Sequence, residues 1–160
     1  IINNEKDYIS HSFNFGIVTL TQKHYGNDDL HKFLELKKLE IKNFLITQSI
    51  NLKEYTFVAT AGTPTTVAAI KLGQDFFHYD KALINGTTVD LNDLNACLEV
   101  FNNSSKEDII NLVGNGRVEF IEVGIYIYKA IFEVLEKSES IVLDDGLREG
   151  VAINSCLLRQ

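Results

Sequence analysis

Three short stretches of this sequence gather residue types that hold anions. Thr60-Ala61-Gly62-Thr63-Pro64-Thr65-Thr66 combines hydroxyls with a glycine where the apolar Tyr55–Ala59 gives way to the helix-like Val67-Ala68-Ala69-Ile70. A strand that ends in such a turn and enters a helix presents free backbone N–H groups, the positive end of a helix dipole and hydroxyl donors, so phosphate is its natural guest. The same turn also serves simply to reverse the chain, and it matches neither the Walker pattern nor the dinucleotide fingerprint. Gly114-Asn115-Gly116-Arg117 puts an arginine at the opening of the most apolar helix. A charge that opposes the positive dipole end points to an anion; the alternative is a side chain that only extends to water. Asp144-Asp145-Gly146-Leu147-Arg148-Glu149-Gly150 follows a strand, on the edge where open α/β sheets bind ligands. Its paired carboxylates would hold a metal through water or cap the helix that follows, and Arg148 and Glu149 would pair with each other.

The other reactive side chains are dispersed. Cys97 and Cys156 lie in helical patterns without His or Cys at ligand spacing, and read as small buried hydrophobes in a reducing compartment. His11, His24, His31 and His78 show no zinc-type spacing, so no metal ligand is assigned. The 160 residues suffice for one ordinary domain, and 45% hydrophobic with 23% charged is a globular balance. Fifteen Lys and Arg against 22 Asp and Glu give a net charge of −7, which disfavours duplex nucleic acid. No apolar run is long enough to cross a membrane and no secretory leader is visible, so a cytoplasmic protein is expected.

Ile1-Ile2 and the alternating Tyr8–Phe15, running on through Val18, predict a hairpin about Asn3-Asn4. The chain has no Met and starts inside an apolar doublet. A strand truncated at residue 1 of a longer polypeptide is expected, with a mature protein that has lost a leader as the alternative. Asp28 and Asp29 cap a helix with Leu30, Phe33, Leu34, Ile41, Phe44 and Leu45 inward and Lys37, Lys38 and Lys42 largely opposite. Tyr55–Ala59 is a strand, and Thr63 with Pro64 starts a helix that stops at Gly73. Asn85-Gly86 joins Ala82–Ile84 to Thr87–Val89 as a hairpin. Asp90 caps a helix to about Phe101, and Ser105 opens another that breaks at Gly114. From Arg117 to Glu136 the polar residues form one stripe, so that helix is largely buried. Ser140–Leu143 is a strand and Leu147 begins the last helix. The order is that of one α/β domain, with strands buried between helices.

These pieces together resemble the exopolyphosphatase and guanosine pentaphosphate phosphohydrolase family. Val58-Ala59-Thr60-Ala61-Gly62-Thr63-Pro64-Thr65-Thr66-Val67-Ala68-Ala69 looks like its Thr/Gly-rich segment, and Asp145-Gly146-Leu147-Arg148-Glu149-Gly150 is similar to its closing signature. Asn85-Gly86 before a capped helix, and Gly116-Arg117 before a long helix carrying Gly124, have the family's spacing. Phe13-Asn14-Phe15-Gly16-Ile17-Val18-Thr19-Leu20-Thr21 resembles its strand-and-Gly element. The sequence departs from the family at Ala61, where a second Gly is usual, at Pro64, where Ala is commoner, and at Asn14-Phe15, where Pro-Leu is usual.

The resemblance implies an actin-like ATPase architecture of two ribonuclease-H-like lobes, each a mixed sheet flanked by helices, with a phosphate cleft between them. Residues 1–160 would be the second lobe; the first, with its phosphate loop and general-base Glu, would lie outside this chain, so no catalytic residue is assigned here. The implied reaction removes terminal phosphate from polyphosphate or guanosine pentaphosphate, as in the stringent response, with Mg²⁺ held mainly by the other lobe. Gly62, Thr63, Thr66 and Arg117 are the expected ligand contacts, and Gly16, Arg148 and Glu149 the expected supports. Expected partners are polyphosphate or guanosine penta- and tetraphosphate, the N-terminal lobe, and a second copy in a homodimer. Rival readings are a lobe of a sugar- or acetate-kinase-like enzyme, and a non-catalytic module that binds alarmone or phosphate.

Overall fold

The computed structural model describes residues 1–2, 7–23 and 27–157. Among them, strands β1 (Val58–Thr60), β2 (Thr88–Asp90) and β3 (Glu139–Leu143) form a mixed sheet in the order β1-β3-β2, with β1 parallel and β2 antiparallel to β3. Ala59 pairs with Val142, and Val89 with Ser140, so these residues share one face. All four are buried. That face meets α3 (Gly62–Lys71), α5 (Leu91–Asn103), α6 (Lys106–Val113) and α7 (Ile121–Leu135) in one core containing Val67, Leu94, Val113, Ile125 and Phe132. On the other face Val58 is 49% exposed. The strands are therefore buried on one side rather than between two helical layers, and the outer edge of β1 is unpaired among the described residues.

A second layer lies beyond α7. Helices α1 (Ile17–Lys23) and α2 (Asn27–Thr47) pack Leu20, Leu30 and Leu34 against Ala130, and Ile41 and Leu45 against Val134. Glu119, Glu122, Glu133 and Glu136 of the expected polar stripe are exposed, while Tyr126 and Lys129 are half-buried. Helix α7 is thus enclosed everywhere except along that stripe, because it is the layer shared by both clusters. Lys38 of α2 bonds Glu133 of α7 at 2.5 Å. The Lys37 ammonium lies 5.7 Å and 5.4 Å from the Phe15 and Phe33 ring centres, so neither lysine simply faces water.

Capping chemistry sets most boundaries as the sequence indicates. Asp90 accepts from the N–H groups of Asn92 and Asp93 while Asp93 returns a bond, a full capping box at α5. Ser105 and Asp108 repeat the device at α6, which ends on Gly114 at φ +83°. Gly73 and Gln74 donate to Ile70 and Ala69, closing α3 in the Schellman manner.

Several elements differ from expectation. Residues 8–15 form no strand beyond the Ile2–Tyr8 bridge among the described residues, the chain bends at Asn14 where the Phe15 N–H bonds the Phe13 carbonyl, and Ile17 already begins α1. The Asn3-Asn4 turn lies outside the described residues. Asp29 sits within the first turn of α2, not before it. Ala82–Ile84 belongs to a short helix, α4 (Lys81–Ile84), capped by Asp80, so no hairpin forms. Asn85 has φ −61° and ψ 121° and Gly86 φ +87°, with Thr87 donating to Ile84: a type II turn, whereas the I′ and II′ turns of a two-residue hairpin both need positive φ at the first central residue. Helix α8 (Leu147–Leu157) carries an exposed Cys156, contrary to the expectation of a buried thiol. Burial does push the Cys97 thiol up to about 12.

Candidate functional site

The β1–α3 turn is built on a strained residue. Ala61 precedes the helix at φ 79° and ψ −174°, with no side-chain cap. Gly62 is therefore the first residue of α3, and Thr63 and Pro64 stand one and two places inside it, not at the cap and first position. Proline is still tolerated there, because its missing N–H belongs to the first turn, whose donors lack intrahelical acceptors. For the same reason the early amides of α3 remain available to an external acceptor.

The threonines divide their roles. Thr65 and Thr66 are buried, and their hydroxyls donate back to Ala61 and Gly62 carbonyls. Thr66 is not exposed to a ligand; its Oγ1 accepts from Arg117 Nη1 at 3.1 Å. Arg117 stands one turn ahead of α7, its carbonyl accepting from Phe120 and Ile121. Its exposed guanidinium passes over Gly62, where a Cβ would lie 3.9 Å from Cζ and Nε. Gly62 thus leaves the space that the arginine covers. Thr63 meets α7 at Gly124, so closely that any Cβ at 124 would overlap the Thr63 hydroxyl.

Two cavities meet at Gly62 and Arg117. A polar one of about 350 Å³ is bounded by Thr60, Ala61 and Thr65 on one side and by Asp144, Gly146 and Arg148 on the other. An apolar one of about 440 Å³ lies between Ile17, Phe57, Phe120, Tyr128 and Ile131, with Thr63 on its wall. Thr66 lines neither cavity, and neither does Gly16, whose carbonyl accepts from Leu20 and the Thr19 hydroxyl at the start of α1.

The loop after β3 is held by residues that its own sequence does not advertise. Asn85 donates to Asp145 Oδ2 at 3.1 Å and accepts from the Asp144 N–H at 2.7 Å. Thr60 donates to the Asp145 carbonyl, and Lys81 bonds both Asp145 and Glu149 at 2.9 Å. Glu149 Oε2 also accepts from the Gly146 N–H, so it pairs with Lys81, not with Arg148. These bonds hold Glu149 down at about 2, the Gly146 amide first among them and Lys81 next. Tyr79, held above its ordinary value chiefly by burial, also feels Thr65 and Asp144. The Asp145 carboxylate is engaged by Asn85 and Lys81, and Asp144 meets Asn85 through its N–H and Tyr79 through its side chain; neither residue stands directly before Leu147, where α8 begins. With their oxygens so occupied, Asp145 and Glu149 do not fit a Mg²⁺ ion, and no group of three metal-capable His, Cys, Asp or Glu occurs among the described residues. Lys81, Asn85 and Tyr79 escape sequence reading because each lies about 60 positions or more from the acids it meets. Only the Asn-Gly turn marked that neighbourhood.

The Ppx/GppA phosphatase family model matches residues 1–159. A solved Aquifex aeolicus member of that family superposes with a TM-score of 0.72 at 26% identity, covering 91% of this chain and 47% of its own. An exopolyphosphatase from Cytophaga hutchinsonii superposes with a TM-score of 0.71 at 16% identity, over 91% of this chain and 48% of its own, a likeness of fold alone. This chain spans about half the length of those solved relatives. No curated protein matches it.

Proposed function

Since the chain belongs to the Ppx/GppA phosphatase family, we propose that it is the second lobe of a Mg²⁺-dependent phosphohydrolase. That enzyme would remove the terminal phosphate of inorganic polyphosphate or guanosine pentaphosphate in the cytosol. The observation that carries this reading is the Arg117 guanidinium, fixed by Thr66 above Gly62 at the uncapped start of α3. It faces a polar cavity that Arg148 also borders. A planar guanidinium presents paired donors that match phosphate oxygens, and helix-start amides add donors that need no reorganisation.

In hydrolysis, a water oxygen attacks the terminal phosphorus, the bridging P–O bond breaks, and the shortened chain leaves with the electron pair. Arg117 and the amides of Gly62 and Thr63 would hold the charge of the polyphosphate chain and align it for that displacement. Glu149 is not the base, because its oxygens already serve Gly146 and Lys81. The base and the metal ligands are assigned to the other lobe, which the resemblance places outside this chain.

Calorimetric titration with tripolyphosphate and with guanosine pentaphosphate tests the reading. Binding that weakens ten- to a hundredfold in Arg117→Ala supports it, in keeping with about 1.5–3 kcal/mol for a charge-assisted contact. Equal binding by both forms, or none by the wild type, overturns it.

A further inference from the structure

Helix α4 has no place in the phosphate reading so far, yet it makes the densest polar contacts with the loop that closes the polar cavity. Lys81 Nζ lies 2.9 Å from Asp145 Oδ1 and 2.9 Å from Glu149 Oε1. Four residues on, Asn85 holds the Asp144 N–H and the second Asp145 oxygen. Glu149 uses its other oxygen on the Gly146 N–H. One cation and one amide therefore fix Asp144 and Asp145 directly and, through Glu149, Gly146 and the first turn of α8.

The charge balance gives this arrangement a consequence. Arg117 and Arg148 border the cavity together with Asp144 and Glu149, so the cavity's charged lining is neutral by itself. Asp145 directly behind it would tip the field against a polyanion. Lys81 offsets that carboxylate, and its two bonds draw Asp145 and Glu149 together at its own ammonium.

We infer that Lys81, with Asn85, is a positioning residue for the phosphate site: it offsets the charge of Asp145, bonds Glu149, and locks the 144–149 loop against the cavity. This inference rests on the phosphate reading above for its ligand, but the loop-locking part stands on the bonds alone. No group in the contact is buried deeply enough for Lys81 to serve as core packing, since its side chain is 41% exposed.

Four forms of the full chain test it: wild type, Lys81→Met, Lys81→Arg, and Lys81→Met combined with Asp145→Asn and Glu149→Gln. Each is measured by tripolyphosphate calorimetry and by amide hydrogen exchange at Asp144 and Gly146. Lys81→Met should weaken tripolyphosphate binding about tenfold and speed exchange at both amides. Lys81→Arg should retain both properties. The triple variant should recover binding to within about threefold, because it removes the uncompensated carboxylates instead of restoring the cation. Unchanged exchange in Lys81→Met, or binding lost and not recovered in the triple variant, overturns the inference. Exchange that responds as stated in a wild type that binds no tripolyphosphate overturns the phosphate reading and supports the lock.

Discussion

Ala61 adopts backbone that L-residues rarely occupy, at φ 79° and ψ −174°. Such strain costs about 1–3 kcal/mol, and glycine relieves it at the expense of extra freedom in the unfolded chain. Ala61→Gly should therefore raise stability by about 1 kcal/mol in urea denaturation. Arg117 is the opposite case. Its charge lies one turn before α7 and it is exposed, so Arg117→Ala should cost less than about 1 kcal/mol, the loss of one hydrogen bond to Thr66, while it weakens phosphate binding. Glu149 supplies a pH test. Its folded value of about 2 lies below its ordinary 4.5, so its bonds stabilise the loop above pH 4.5 and are lost as pH falls toward 2. The Gly146 amide resonance should follow that titration, and in Glu149→Gln it should not.

At the scale of elements, the decisive contact is α3 against α7. Gly124 lies beneath Thr63, and a methyl group there would overlap its hydroxyl. Gly124→Ala should destabilise the chain by about 1–3 kcal/mol, the usual cost of overpacking. Adding Thr63→Ala should restore part of that loss, because the side chain in collision is gone. A simple sum of the two single effects in thermal unfolding would show that these residues do not meet. The Asn85-Gly86 turn belongs to the same scale. Its turn is type II and leads from a helix, so Gly86 donates to Val142 of β3 and draws Asn85 toward the loop beyond.

For the whole molecule, the outer edge of β1 is the exposed liability. Val58 is 49% exposed there, and an apolar cavity of about 580 Å³ beside it includes Ile1, Ile2, Phe57 and Leu135. An unpaired edge flanked by apolar surface recruits further strands. The chain by itself should associate at high concentration, and Val58→Lys should suppress that association in light scattering. A monomer at every concentration would contradict this. No helix among the described residues is long and apolar enough to cross a membrane. On the proposal that the base belongs to a further lobe, the isolated chain should release no phosphate from polyphosphate or guanosine pentaphosphate even with Mg²⁺. Turnover by it that is lost on mutating one of its own residues would relocate the active site.

The sequence by itself determined what local chemistry controls: the capping boxes at Asp90 and Ser105, the stops at Gly73 and Gly114, the apolar faces of α2 and α7, and the strand at Ser140–Leu143. Each rests on residues within a few positions of one another, where propensity and hydrogen bonding act before any packing. The Thr/Gly turn and Arg117 were also legible, because a glycine and an arginine set against local preference stand out in a string of letters. Packing decided the rest. Ile17 begins a helix because Leu20 finds a place against Ala130, which no alternation in 8–18 foretells. Thr66 turned inward to hold Arg117, since its hydroxyl reaches the Gly62 carbonyl one turn back. Lys81 and Asn85 reached Asp145 only because β2 and α4 return beside β3, and a bond across that distance leaves no trace in local composition.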